Sequence, residues 1–220
     1  MTIKGFIFDL DGVITDTAEY HYHAWKTLGK KMGIEIDREF NEKLKGISRM
    51  DSLDRILVHG GKTDSYTETE KEALAADKNG EYVKLIEDIT PADLLPGIPE
   101  LLGELKAAGI KLALASASKN GPVILERLGI TADFDEIVDP SLLAKGKPDP
   151  EIFIKGAHQL GLESSECIGV EDAEAGIDAI NGAEMFSVGV GDPESMKDAN
   201  YRVANTSELS LVKIMAAVGN

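Results

Sequence analysis

The stretch Phe6-Ile7-Phe8-Asp9-Leu10-Asp11-Gly12-Val13-Ile14-Thr15-Asp16 decides how the chain folds. From Ile3 to Phe8 the residues are β-formers in a run too short for an independent helix, which predicts a buried strand ending at Asp9. Gly12 then lets the chain turn, so that Asp9 and Asp11 can both face a pocket beyond the carboxyl edge of a sheet. Two carboxylates held that close invite a cation.

Next, Ala18, Tyr22, Trp25, Leu28 and Met32 recur at helical spacing and Gly33 ends the pattern, which predicts a helix. Thr17 and His21 lie on neighbouring turns near its start. From about Ile36 to Ile89 the pattern is helical with no strand. Ser48-Arg49-Met50-Asp51 reads as a capping box in front of Leu53, Ile56 and Leu57. A later stripe carries Leu74, Tyr82, Leu85 and Ile89, with Lys78 on it. That lysine either snorkels to solvent or meets an anionic substrate, and periodicity alone favours snorkelling. The block is expected to be an inserted helical cap over residues 17–91, in a core of residues 1–16 and 92–220. Lids over active sites commonly move on such crossings.

Beyond Pro96-Gly97, strands and helices alternate. Strands are expected at Lys111 to Ala115, Glu136 to Asp139, Glu166 to Val170, Met185 to Val190 and Tyr201 to Ala204. The alternation implies an α/β core with a doubly wound, mainly parallel, Rossmann-like sheet. Asp9, Ser116 and Glu171-Asp172 then all fall at carboxyl ends of strands, where the loop carrying Lys147 can join them. That convergence points to an enzyme.

Composition removes other classes. With 39 acidic against 23 basic residues the formal net charge is −16, which repels nucleic acid and anionic membrane, and no basic run offsets it. No apolar stretch reaches membrane-spanning length, and the N-terminus does not read as a secretory signal. Cys167 is the only cysteine, expected to be a buried thiol, so a reducing cytoplasm fits. No association stripe is evident, and a monomer is expected.

The Asp-x-Asp-Gly motif after an apolar strand, with Ser116, Lys147 and Glu171-Asp172 following in order, resembles the haloacid dehalogenase-like (HAD) phosphotransferase superfamily. On that reading Asp9 is a nucleophile forming an aspartyl-phosphate, and Asp11 is the general acid/base. An anion attacking an anion needs positive charge and positioning. Mg²⁺ would supply the charge, held by Asp9, the backbone carbonyl of Asp11, Asp172 and a neighbouring or alternating Glu171. Asp172 alone would also serve as a helix N-cap. Ser116 offers a hydroxyl and backbone N–H groups to phosphoryl oxygens, and Lys147 a fixed charge. The Lys147-Pro148 bond is a candidate cis peptide.

Residues 8–21, 44–53 and 115–121 further resemble the β-phosphoglucomutase family. The middle segment lies in the cap, where phosphatases of the superfamily diverge according to substrate. The resemblance implies a sugar phosphate substrate, with β-glucose 1-phosphate and glucose 6-phosphate interconverted through β-glucose 1,6-bisphosphate. It also implies a second phosphate cradle of Arg49, Ser118, Lys119 and Asn120, with Ser116 and Ala117 also among the substrate-binding residues. Lys78 and Asn79 would contact the sugar or its phosphate, Gly46 and Ser48 would shape the cap loop, and Thr17 and His21 would support Asp11. Residues His59 to Glu70 depart from the family pattern. Two alternatives stay open: a sugar phosphate or phosphoglycolate phosphatase with water as acceptor, and an inactive binding protein on the same fold, against which stand all four core functional groups.

Overall fold

A computed structural model of the protein describes residues 2–219. The chain forms two compact units, one of residues 2–16 with 89–219 and the other of Thr17–Asp88.

The first unit is a six-stranded parallel sheet with flanking helices. Its strands are β1 (Gly5–Phe8), β2 (Lys111–Leu114), β3 (Glu136–Ile137), β4 (Cys167–Glu171), β5 (Phe186–Val190) and β6 (Tyr201–Val203), in spatial order β3-β2-β1-β4-β5-β6. The progression reverses at β1, whose neighbours are β2 and β4, so β1 sits at the switch point where open α/β sheets bind ligands. Register brings Phe8 level with Leu114 on one side and Val170 on the other. Asp9, Ser116 and Glu171-Asp172 therefore emerge side by side just past the strand ends.

Side chains alternate across the pleat, which gives the sheet two buried faces. Ile7 and Ala113 join Phe153 and Ala157 of one helix and Ile177 and Ile180 of another. Phe8 points the other way and meets Phe134 edge-on at 6.1 Å. All four β1 residues are buried, as a central parallel strand requires. The strand from Glu136 has only two residues because Val138 leaves the ladder after one bond to Leu114.

The second unit holds α1 (Ala18–Met32), α2 (Arg38–Glu42), α3 (Arg49–His59) and α4 (Glu68–Leu85), with no strand among its residues. Gly33 closes α1 in the left-handed region, φ 68°. Tyr22, Trp25, Leu28 and Met32 pack with Leu53, Ile56, Leu57 and Ala75 in its core. Ser48 caps α3, but Asp51 accepts from the Ser48 hydroxyl rather than from its backbone N–H, so only half of the capping box forms. Ile89 lies past α4 and belongs to the first unit.

The remaining helices, α5 (Ile98–Ala107), α6 (Gly121–Leu128), α7 (Glu151–Gln159), α8 (Glu174–Gly182) and α9 (Leu211–Val218), belong to the first unit. Where the chain leaves that unit and returns, the two segments are tied together. Thr15 and Leu94 form an antiparallel bridge, and the Thr15 hydroxyl donates to the Asp93 carbonyl at 2.7 Å.

Candidate active site

The ladder of β1 runs one residue beyond the strand, since the Asp9 N–H donates to the Val170 carbonyl at 3.0 Å. This fixes the Asp9 backbone and leaves its carboxylate at the sheet edge. Lys147 reaches that carboxylate from the loop before α7. Its Nζ donates to Asp9 Oδ1 at 2.6 Å and to Glu171 Oε2 at 2.7 Å, with both the Lys147 and Glu171 side chains fully enclosed. The Lys147-Pro148 peptide is cis.

Burial alone would drive the Lys147 ammonium towards neutrality, but the charges of Asp9 and Glu171 and the bonds to them outweigh it and raise its pKa. Glu171 is pushed above the usual carboxylate range, first by burial and then by the Asp9 charge, while Lys147 holds it back. Lys147 therefore serves as a permanent cation.

Glu171 is busier than a pair of adjacent acids in sequence reveals. Its Oε1 accepts from the backbone N–H groups of Asp172 and Ala173, at 3.1 and 3.2 Å, while Oε2 holds Lys147. It thus organises the turn carrying Asp172 as well as the lysine. Ala173, not Asp172, occupies the N-cap position of α8. Gly12, at φ 75°, does more than turn the chain: a Cβ there would stand 2.0 Å from Asp172 Oδ2, so the glycine makes room for that acid.

Carboxylate oxygens of Asp9, Glu171 and Asp172 lie within 4.8 Å of one another. An all-oxygen donor set suits a hard divalent cation. Lys147 offsets part of the negative charge of these three acids, and a divalent ion would balance more of it.

Ser116 is buried two residues past β2 and accepts from the Ser118 N–H at 3.1 Å, which leaves its hydroxyl proton available to donate. Ser118 accepts in turn from the Asn120 N–H at 3.3 Å, and α6 begins at the next residue. Ala117, Ser118 and Asn120 are half-buried, and Lys119 is exposed, with its charge near Asp139. Asp11 is half-buried on the tight loop closed by the Gly12 N–H to Thr15 carbonyl bond of 2.8 Å.

The second unit gathers its own constellation. Lys78 is 2% exposed and does not snorkel. Its Nζ stands 4.7 Å from the ring centroids of both Trp25 and Tyr82 and 2.7 Å from His21 Nδ1. A helical stripe tells which side a lysine faces but not that two aromatic faces wait there for a cation. His21 stacks on Tyr82, whose hydroxyl donates to Thr17 Oγ1 at 3.1 Å. Trp25 and Tyr82, read from sequence only as core, thus line a charged site; the spacing of Lys78 and Tyr82 one turn apart was the available signal. Arg49 begins α3 and is half-buried, Asn79 follows Lys78, and Gly46 takes φ 71°. The Ser48 hydroxyl is committed to Asp51 in both directions, and its carbonyl accepts from the Ser52 N–H and hydroxyl, each at 2.9 Å.

Burial, then the charges of Lys78 and Arg49, hold the His21 pKa well below 6.5. An ammonium only donates, so Nδ1 accepts from Lys78 and the ring proton resides on Nε2. The folded state thus resists a proton that the unfolded chain takes up below about pH 6.5, and linkage makes stability fall with pH there. Wild type is expected to lose up to about 1.4 kcal/mol per pH unit below 6.5 relative to His21→Gln, by urea unfolding between pH 8 and 5. Parallel curves would show that His21 keeps an ordinary pKa.

A family model for haloacid dehalogenase-like hydrolases matches residues 3–184. β-Phosphoglucomutase of Bacillus subtilis is 54% identical over 209 residues, covering 95% of this chain and 92% of the relative. The crystal structure of β-phosphoglucomutase from Clostridium difficile superposes with a TM-score of 0.98 at 54% identity, covering 99% of this chain and 98% of the other. A phosphorylated carbohydrates phosphatase of Thermotoga maritima is 26% identical, with 82% of each chain covered. No helix among the described residues is long and apolar enough to cross a membrane. Similarity at this level spans both units, and the chain belongs to the β-phosphoglucomutase family of the haloacid dehalogenase-like proteins.

Proposed function

We propose that the protein is a β-phosphoglucomutase that interconverts β-glucose 1-phosphate and glucose 6-phosphate. The observation that carries this reading is the identity of 54% to a mutase over 95% of the chain, the helical unit included, against 26% to a carbohydrate phosphatase. The phosphatase alternative is therefore less favoured.

Asp9 acts as the nucleophile and carries the phosphoryl group. Phospho-Asp9 gives it to the 6-hydroxyl of β-glucose 1-phosphate while Asp11 takes the hydroxyl proton, yielding β-glucose 1,6-bisphosphate. After the bisphosphate reorients, Asp9 attacks the phosphorus at C1, and Asp11 returns the proton to the departing C1 oxygen. Glucose 6-phosphate leaves and phospho-Asp9 is restored. Lys147 neutralises charge on Asp9 throughout, at no reorganisation cost because Glu171 already holds it. Mg²⁺ would be held by Asp9, the Asp11 carbonyl and Asp172 with Glu171 alongside, and would supply further charge neutralisation at the phosphoryl oxygens. Ser116 donates to those oxygens. Arg49 with Ser118, Lys119 and Asn120 binds the second phosphate, and Lys78 with Asn79 contacts the sugar or its phosphate.

The deciding experiment follows glucose 6-phosphate and free phosphate from β-glucose 1-phosphate with Mg²⁺, with and without a trace of glucose 1,6-bisphosphate. Glucose 6-phosphate without matching free phosphate, formed faster with the bisphosphate, is expected. Free phosphate as the main product would move the protein to the phosphatases. A narrower test is Arg49→Ala, expected to weaken sugar phosphate binding about 10- to 100-fold, as loss of a charged hydrogen bond does. Phosphorylation of Asp9 by acetyl phosphate should stay near wild type; equal loss of both would contradict two separate phosphate sites.

A further inference from the structure

Gly176 lies in the first turn of α8 and has no positive φ that would call for a glycine. The helix would be better served by another residue, because glycine is a poor helix former. Its position shows what it provides. A Cβ built on Gly176 would stand 1.9 Å from Glu171 Oε2, 2.0 Å from Glu171 Cδ and 2.3 Å from Cγ. The end of a flexible side chain would ordinarily move aside, but this one is pinned. Glu171 is 0% exposed, Oε2 accepts from Lys147, and Oε1 accepts from the Asp172 and Ala173 N–H groups. A methyl group at 176 cannot enter without displacing the oxygen that holds Lys147 on Asp9.

We propose that Gly176 is a positioning residue: its missing side chain is the seat of the Glu171 carboxylate, through which Lys147 is held against Asp9. The inference rests on the phosphoryl-transfer reading above for its kinetic consequence and on the packing alone for its structural one. With the seat filled, Glu171 swings away, Lys147 loses one of its two anchors and the Asp172 turn loses its acceptor. A shift of about an ångström at a reacting group is worth roughly 10²-fold in rate.

The test is a cycle of wild type, Gly176→Ala, Glu171→Ala and the double variant. Gly176→Ala should slow phosphorylation of Asp9 by acetyl phosphate roughly 10²-fold. Its glucose 6-phosphate affinity, by calorimetry, should stay within about twofold. A structural defect of the helix would move both. The thermal midpoint carries the decision whatever the reaction proves to be. Gly176→Ala should lower it in wild type, where the methyl meets the carboxylate, and raise it in Glu171→Ala, where the seat is empty and alanine favours the helix. If Gly176→Ala failed to fold while the double variant folded, the seat would be confirmed. A change of the same sign in both backgrounds, or wild-type phosphorylation by Gly176→Ala, would overturn the proposal. Free phosphate as the main product of wild type would remove the mutase reading and leave the sign reversal to decide the seat.

Discussion

Asp9→Asn is expected to abolish turnover, with a loss on the order of 10⁴-fold or more, as for other enzymes deprived of their nucleophile. An amide is nearly isosteric with the carboxylate but does not form a stable phosphoryl adduct, so no aspartyl-phosphate should appear by mass spectrometry after incubation with acetyl phosphate. The fold should survive, because the change does not strand Lys147. Glu171 still holds its Nζ at 2.7 Å, and the Asp9 N–H keeps its bond to Val170. Removing one of two neighbouring buried carboxylates also relieves repulsion, so the thermal midpoint should remain near or above that of wild type. Surviving turnover in a folded Asp9→Asn protein would mean that the phosphoryl group is carried by another residue.

The parts of this site that were legible in sequence are those fixed by strand ends. Short apolar runs locate β1, β2 and β4, and the residues just past those runs must lie at one edge of a parallel sheet, which is why the sequence alone groups Asp9, Ser116 and Glu171. The helix from Ala18 to Met32 was equally plain, because both its stripe and the closing Gly33 are local features. What sequence did not reveal depends on neighbours distant in the chain. Lys78 reads as a snorkelling lysine until Trp25, 53 positions earlier, is seen to face its ammonium across from Tyr82. Glu171 reads as an acid neighbouring or alternating with Asp172 until each of its oxygens is found engaged by Lys147 or by the turn after it. Gly176 carries no signal of its own, since a glycine chosen for the space it leaves looks like any other.

Lys147→Met should be nearly as damaging to activity as loss of the nucleophile, and it should also destabilise the fold in a way that reports its charge. Methionine fills much of the lysine's volume and can keep contact with Phe153, whose ring lies 5.1 Å from Nζ in wild type. The packing loss is therefore small and the electrostatic loss large. Asp9 and Glu171 would face each other in the buried edge of the sheet without the cation they share. Removing one partner of a buried ionic group costs roughly 3–5 kcal/mol, and loss of a preorganised charge at a reacting anion costs about 10²–10³ in rate. Glu171 is already above the usual carboxylate range with Lys147 present, and without it rises further. A carboxyl whose pKa is raised on folding binds more protons folded than unfolded, so stability falls as pH rises through that interval and recovers as pH falls. The deficit of Lys147→Met against wild type, by urea unfolding in chelator, should therefore be greatest near pH 8 and shrink towards pH 5. A deficit constant across that range would mean that the cost is one of packing, and that Glu171 does not depend on Lys147 for its charge.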